Sequence, residues 1–212
     1  MTRTWHRYKH SRCSRLHLIN TKLIERQIVV DDRQEQVVLA NESGKPVGLK
    51  GKLQAHLDGD LHLAFSVMLF RLTNQGIEYL LQRRARHKYH SGGLWSNTVC
   101  SHPRDGESIT QAATRRIDEE LGIVQPLNFT GIGHIIYKAR LDNHLTEHEY
   151  DHILICECPT LEFSANPDEV MDCRWWSETQ IDNALNQSSK QFTAWFNEVY
   201  NKTREVVGES IY

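Results

Sequence analysis

Residues 106–123 read GESITQAATRRIDEELGI, and the fold is decided here. Ile109, Ala112, Ala113, Ile117 and Leu121 recur at three- and four-residue spacing, so one helical face is apolar and the other carries Arg115, Arg116, Glu119 and Glu120. Ser108 stands where an N-cap hydroxyl accepts from the first turn, and Gly122 where a helix closes in a left-handed residue. A helix is therefore expected between them. Arg116 precedes Glu120 by four residues, which puts both on one side of it.

Working upstream, 36–40 reads as a strand, 41–46 as a polar turn and 47–53 as the return strand of a hairpin. Leu61, Leu63, Phe65, Val67 and Leu69 alternate along 61–70, a strand with His62 on its less apolar face. Residues 74–76 turn the chain into a partner strand over 77–81, followed by a basic loop over 83–88 and the segment 95–100. Downstream, 132–140 and 150–158 read as strands joined by the acidic segment 146–149. Ser177 and Glu178 open another helix, and a last one is expected over 192–206. Strands around a central helix predict an α/β (α+β) chain, a mixed β-sheet sandwiched between helices in a single domain over 34–212.

At 212 residues, with 39% hydrophobic and 25% charged residues, the chain can build one ordinary core. A formal net charge of -2 gives no basic field for nucleic acid, so an anionic ligand needs local cations or a metal. No apolar run approaches the roughly 20 residues of a membrane span. The five cysteines are odd in number and form no CxxC pair, which argues against a zinc ribbon or disulfide framework. A reducing, cytoplasmic setting is expected. The first 24 residues carry six Lys/Arg and no Asp or Glu. That start fits an organelle transit peptide, a basic tail or translated leader; the reading adopted is a poorly ordered extension over 1–33.

Three further segments carry candidate chemistry. In 95–103, WSNTVCSHP, Cys100 lies among polar residues, two before His102 and shortly before the helix start. An ionisable or proton-donating thiol is tuned in such a place, although a lone cysteine also serves as a small core residue. In 147–152, EHEYDH, an extended chain puts Glu147 and Glu149 on one face. Such a pair repels unless a proton or cation sits between, and a solvated acidic loop is the alternative. His56 and His62, on either side of Asp58-Gly59-Asp60, are a weak signal by themselves, with ordinary surface histidines as the alternative.

The spacing of Glu107, Arg115, Glu119, Glu120 and Gly122, with Ile117 and Ile123 in aliphatic positions, resembles the Nudix box G-x5-E-x7-R-E-U-x-E-E-x-G-U. That resemblance implies a loop-helix presenting carboxylates to a metal-bound diphosphate. Two departures stand out: Ser101 replaces the first glycine, and Arg116 replaces the Glu that loads metal in Nudix hydrolases. Hydrolysis is thereby put in doubt.

The string NTVCSHP, the EHE element and the phrase DLHLAFS together resemble the type I isopentenyl-diphosphate isomerases, over roughly 35–195. The resemblance implies a Nudix-type fold and proton-transfer roles for Cys100 and Glu149, assisted by Tyr137. It implies His56, His62, His102, Glu147 and Glu149 as ligands of Mn2+ (or Zn2+/Fe2+), and Glu120 as holder of a Mg2+ bound with the diphosphate. It implies Lys52, Arg84, Lys88 and Arg116 as diphosphate contacts and Trp195 facing the carbon skeleton, where core packing is the rival reading. The partner implied is a small-molecule diphosphate, with no nucleic acid or membrane, and the protein a monomer or weak dimer. A Nudix pyrophosphohydrolase, or a non-catalytic diphosphate-binding Nudix protein, is the alternative. No glycine-rich dinucleotide fingerprint is present, so no flavin is expected.

Overall fold

The computed structural model describes residues 35–141 and 144–209. The basic extension expected over 1–33 lies outside the described residues.

A hairpin of β1 (Gln36–Ala40) and β2 (Pro46–Gly51) leads directly into α1 (Lys52–Asp58). The expected return strand thus stops at Gly51, and α1 is a helix the sequence reading did not anticipate. It is only seven residues long and buries just Ala55 and His56, too little periodic signal to find. Gly59, at φ 68°, closes it.

The centre of the sheet is β3 (His62–Thr73). Along one edge it pairs in parallel with β8 (Thr146–Glu157), from His62↔Glu149 to Phe70↔Glu157. Its other partners, all antiparallel, are β1 at Leu39↔His62, β6 (Val99–Ser101) opposite 65–67, and β4 (Gly76–Arg84) opposite 70–73. The sheet is completed by β5 (Trp95–Ser96), β7 (Thr130–Arg140) beside β8, and β9 (Val170–Ser177) beside β4. Nine strands thus form one mixed sheet among the described residues.

Four local expectations change. Strand β4 runs on through Arg84, so the basic loop begins with two strand residues. The acidic segment 146–149 is the start of β8 rather than a connection. β9, whose VMDCRWWS mixes charged and aromatic residues, was not foreseen as a strand. The last helix, α4 (Phe196–Glu209), begins later than expected, leaving Trp195 ahead of it.

Between β6 and β7 lies α2 (Ile109–Leu121), with the caps expected of it. Ser108 Oγ accepts from Gln111 N at 3.2 Å, and Gln111 Oε1 accepts from Ser108 N at 2.9 Å. Two otherwise orphaned groups are satisfied reciprocally, worth about 1 kcal/mol. Gly122 sits at φ 62°, and a Cβ there would lie 3.0 Å from Ser164 O, so only glycine fits without adjustment.

Helices cover both faces. Phe65, Val67 and Leu69 pack against Ala112, Ala113, Ile117 and Leu121 of α2. Met68, Phe70, Ile153 and Ile155 pack on the opposite side against Phe196, Val199 and Tyr200 of α4 and Ile181 of α3 (Glu178–Ser188). Because both faces of β3 are covered, its residues from His62 to Phe70 are all buried. His62, expected on the less apolar face of the strand, is therefore fully buried. No helix among the described residues is long and apolar enough to cross a membrane.

Candidate active site and metal centre

The α4-covered face of the sheet is apolar near the ends of β3 and β8 but polar near their starts. Period two places Glu147, Glu149 and Asp151 on one face of β8, and all three are buried. Parallel register sets His62 beside Glu149, and antiparallel register sets Cys100 beside Ser66. His102 follows β6, and the buried side of α1 delivers His56. As a result His56, His62, His102, Glu147 and Glu149 offer ligand atoms all within 4.8 Å of one another.

The imidazoles are oriented by backbone carbonyls. His56 Nδ1 lies 2.7 Å from Lys52 O and His62 Nδ1 2.9 Å from Asp60 O. A carbonyl only accepts, so each Nδ1 carries a hydrogen and each neutral ring presents an Nε2 lone pair inward. His56 Nε2 then stands 3.2 Å from Glu147 Oε2, and His62 Nε2 3.6 Å from Glu149 Oε1. Neither His62 Nε2 nor Glu147 Oε2 has a hydrogen-bond partner. Acceptors facing acceptors out of water are unfavourable unless positive charge lies among them. One source is a proton on His62, whose pKa Glu149 raises against the opposing effect of burial. The other is a divalent ion, and three imidazole nitrogens with two carboxylates fit one well. Burial and the charge of Glu149 push Glu147 up, whereas His102 and His62 hold Glu149 well below the carboxylate range despite burial. His102 is pushed down to about 3, burial being the main cause.

Beside this centre, Tyr137 faces Glu149 across β7 and β8 and donates to Glu149 Oε2 at 2.6 Å. Burial, then the charge of Glu149, keeps the phenol protonated. Cys100 Sγ lies 3.7 Å from Ser66 Oγ, which donates to Asp151 Oδ2 at 2.8 Å. Burial, then Glu149 and Asp151, raises the thiol well above its ordinary value. Cys100 thus packs against the core cluster that holds Met68 and Tyr137 and also lines the cleft.

Cys100, His102, Glu147 and Glu149 share one cleft with the cations Lys52, Arg84, Lys88 and Arg116 and with Glu120 and Trp195. Lys52 Nζ contacts Glu35 Oε2 at 2.9 Å, and Lys88 is ion-paired with Glu169. Arg116 spans three acids, Glu119 at 2.9 Å, Glu120 at 2.7 Å and Glu169 at 3.2 Å. Glu120 also accepts from Gln82 Nε2 at 2.8 Å. Arg84 is buried, and its Nε has no hydrogen-bond partner. Trp195 both packs in the core and lines the cleft, its Nε1 donating to Ser96 Oγ and Asn97 Oδ1 at 3.1 Å.

The NUDIX domain family matches residues 60–196. The isopentenyl-diphosphate Delta-isomerase of Photobacterium profundum is 52% identical over 166 residues, covering 78% of this chain and 92% of that protein. That of Aliivibrio fischeri strain MJ11 is 52% identical over 170 residues, covering 79% and 94%. The chain belongs to the isopentenyl-diphosphate Delta-isomerase family. Solved structures more distant than these isomerases share its fold. A Deinococcus radiodurans protein superposes with a TM-score of 0.60 at 14% identity, covering 80% of this chain and 98% of that one. The MutT protein of Methanosarcina mazei Go1 gives 0.53 at 16% identity, covering 68% and 94%.

Several residues in and around the cleft of this isomerase-family chain escaped the sequence reading. Asp151, fully buried beside Ser66, continues the alternation of Glu147 and Glu149. Gln82 and Glu169 are seen only once β4 and β9 are paired around Glu120 and Arg116. His90 is buried with its Nε2 3.1 Å from Glu147 Oε1, and no sequence pattern marked it.

Proposed function

We propose that this chain interconverts isopentenyl diphosphate and dimethylallyl diphosphate, protonating the terminal methylene and removing a proton from the CH2 on the other side of the tertiary cation that results. The observation that carries the reading is the placing of two proton-bearing groups in one cleft. The Cys100 thiol, from β6, and the Glu149 carboxylate, from β8, line that cleft with β3 between them, and Tyr137 of β7 donates to Glu149.

An unactivated alkene is a weak base, so the acid must be well placed and water excluded. The burial of Glu149 and Tyr137 serves that need. Glu149 Oε2, paired with the phenol, gives or takes a proton on one side of the carbon skeleton, and Cys100 does the reverse on the other; which gives depends on direction. A tertiary cation develops between the two transfers, and the indole of Trp195 stabilises it without adding to it. Arg84, Lys52, Lys88 and Arg116 hold the diphosphate, which is not broken and whose binding energy positions the remote double bond. His56, His62, His102, Glu147 and Glu149 would hold Mn2+, Zn2+ or Fe2+, and Glu120 a Mg2+ with the diphosphate. Bound metal supplies the positive charge that keeps Glu149 ionised and fixed in a site away from water.

Incubating the protein with isopentenyl diphosphate, Mg2+ and Mn2+ in deuterated water tests this directly. Deuterium-labelled, acid-labile dimethylallyl diphosphate without phosphate release is expected. Phosphate release without isomerisation would overturn the reading in favour of a pyrophosphohydrolase.

A further inference from the structure

His90 belongs to none of the groups above, yet it is buried against the five-donor cluster, with its ring 5.7 Å from that of His56. We infer that His90 is a positioning residue that orients Glu147 for metal by donating a hydrogen bond to the carboxylate oxygen turned away from His56. This rests on reading the cluster as a divalent-metal site.

Three observations lead there. First, the two oxygens of Glu147 face different imidazoles: Oε2 meets His56 Nε2 at 3.2 Å and Oε1 meets His90 Nε2 at 3.1 Å. Second, the two rings are held in opposite senses. The carbonyl at His56 Nδ1 forces the hydrogen onto Nδ1 and leaves Nε2 as a lone pair. At His90, Nδ1 instead faces the Ser91 hydroxyl at 3.3 Å, a group able to donate. The His90 hydrogen is therefore free to sit on Nε2, against a carboxylate oxygen that only accepts. One ring offers Glu147 a shared ligand site, and the other offers it a donor. Ligating carboxylates need such outer partners to hold them in register.

Third, the loop between β4 and β5 fixes where His90 stands. Its carbonyl accepts from Arg84 Nη2 at 3.4 Å. Ser91 adopts φ 52°, and a Cβ on Gly92 would lie 2.5 Å from Arg86 O. A non-glycine residue in left-handed backbone is uncommon and persists where surrounding contacts demand it. The same short loop carries Lys88, so the diphosphate-binding side of the cleft and the metal centre are tied together through His90.

Two substitutions in the full chain separate hydrogen bonding from packing. His90→Gln keeps an amide donor without the ring, and His90→Phe keeps a ring without the donor. Mn2+ affinity is measured by the paramagnetic resonance of free Mn2+ during titration. His90→Phe is expected to bind Mn2+ about 10- to 100-fold more weakly than the parent, with His90→Gln recovering most of the loss. Parent-like affinity in His90→Phe, or a loss in His90→Gln as large as in His90→Phe, overturns the role of His90. Failure of the parent protein to bind Mn2+ at all would instead overturn the metal reading beneath it.

Discussion

Tyr137 donates a 2.6 Å hydrogen bond to Glu149 Oε2 while His102 Nε2 lies 3.0 Å from the other oxygen, Oε1. One oxygen of a buried carboxylate thus faces His62 and His102 and the other the Tyr137 hydroxyl. Tyr137→Phe removes only that hydroxyl. Turnover is expected to fall by about 10²-fold, the lower end of what general acid–base help contributes. Bound Mn2+, measured by elemental analysis, should not change; unchanged turnover would remove Tyr137 from the proposed chemistry.

Cys100→Ala deletes the thiol opposite Glu149. Isomerisation, followed as acid-labile product, is expected to disappear while Mn2+ and pyrophosphate binding persist. Substantial residual turnover would sink its proton-transfer role.

Arg116 is the sole side chain in contact with Glu119, Glu120 and Glu169 together among the described residues. In Arg116→Ala the buried Glu120 carboxylate keeps only Gln82 as donor. A loss of about 3 kcal/mol of stability is expected from urea unfolding, because stranding one partner of a buried pair leaves its charge uncompensated. A loss under 1 kcal/mol would show that Glu120 relaxes toward water.

A pH dependence follows from Glu107. Hydrogen bonds from Arg115 hold its carboxyl below the ordinary value against some burial, helped by the Arg104 backbone N–H. The folded pKa is the lower one, so the stabilisation is fully present above the unfolded value of about 4.3 and disappears as pH falls through the folded value. Thermal melts of parent and Glu107→Gln should differ at pH 7, by no more than about 1 kcal/mol for this partly exposed pair, and converge in acid. A difference that persists at low pH would point to packing rather than charge.

Removal of metal should also register in stability. With His62 Nε2 and Glu147 Oε2 lacking partners inside the protein, a bound ion stabilises the folded state by mass action, about 2.7 kcal/mol at one hundred times its Kd. Dialysis against a chelator is expected to lower the melting temperature and added Mn2+ to restore it. Identical melts with and without chelator would count against occupation of this site.

The elements legible in sequence were those whose signal is local. The caps at Ser108 and Gly122 and the stripe through Ile117 and Leu121 need no distant partner to be read, and α2 stands within them. α1 and β9 were not legible, since seven residues with two buried positions, or a strand mixing Asp172, Arg174 and two tryptophans, show no clear period. Histidines 56, 62 and 102 were singled out by resemblance to a known motif, and they do lie together. His90 carried no motif. Its place depends on the loop between β4 and β5 turning it toward a strand 57 positions further along the chain.

By itself, then, the sequence determined the helix and its caps, the alternation that aligns Glu147 with Glu149, and the substitution of Arg116 in the box. These depend on neighbours within a few residues, where backbone geometry alone sets which side chains share a face. Only the tertiary structure decided that β8 runs parallel to β3, bringing Glu149 beside His62, and that Cys100 lies across β3 from it. It also decided which nitrogen of each histidine points inward, because that choice is made by carbonyls and hydroxyls fixed only when the sheet and its loops have closed.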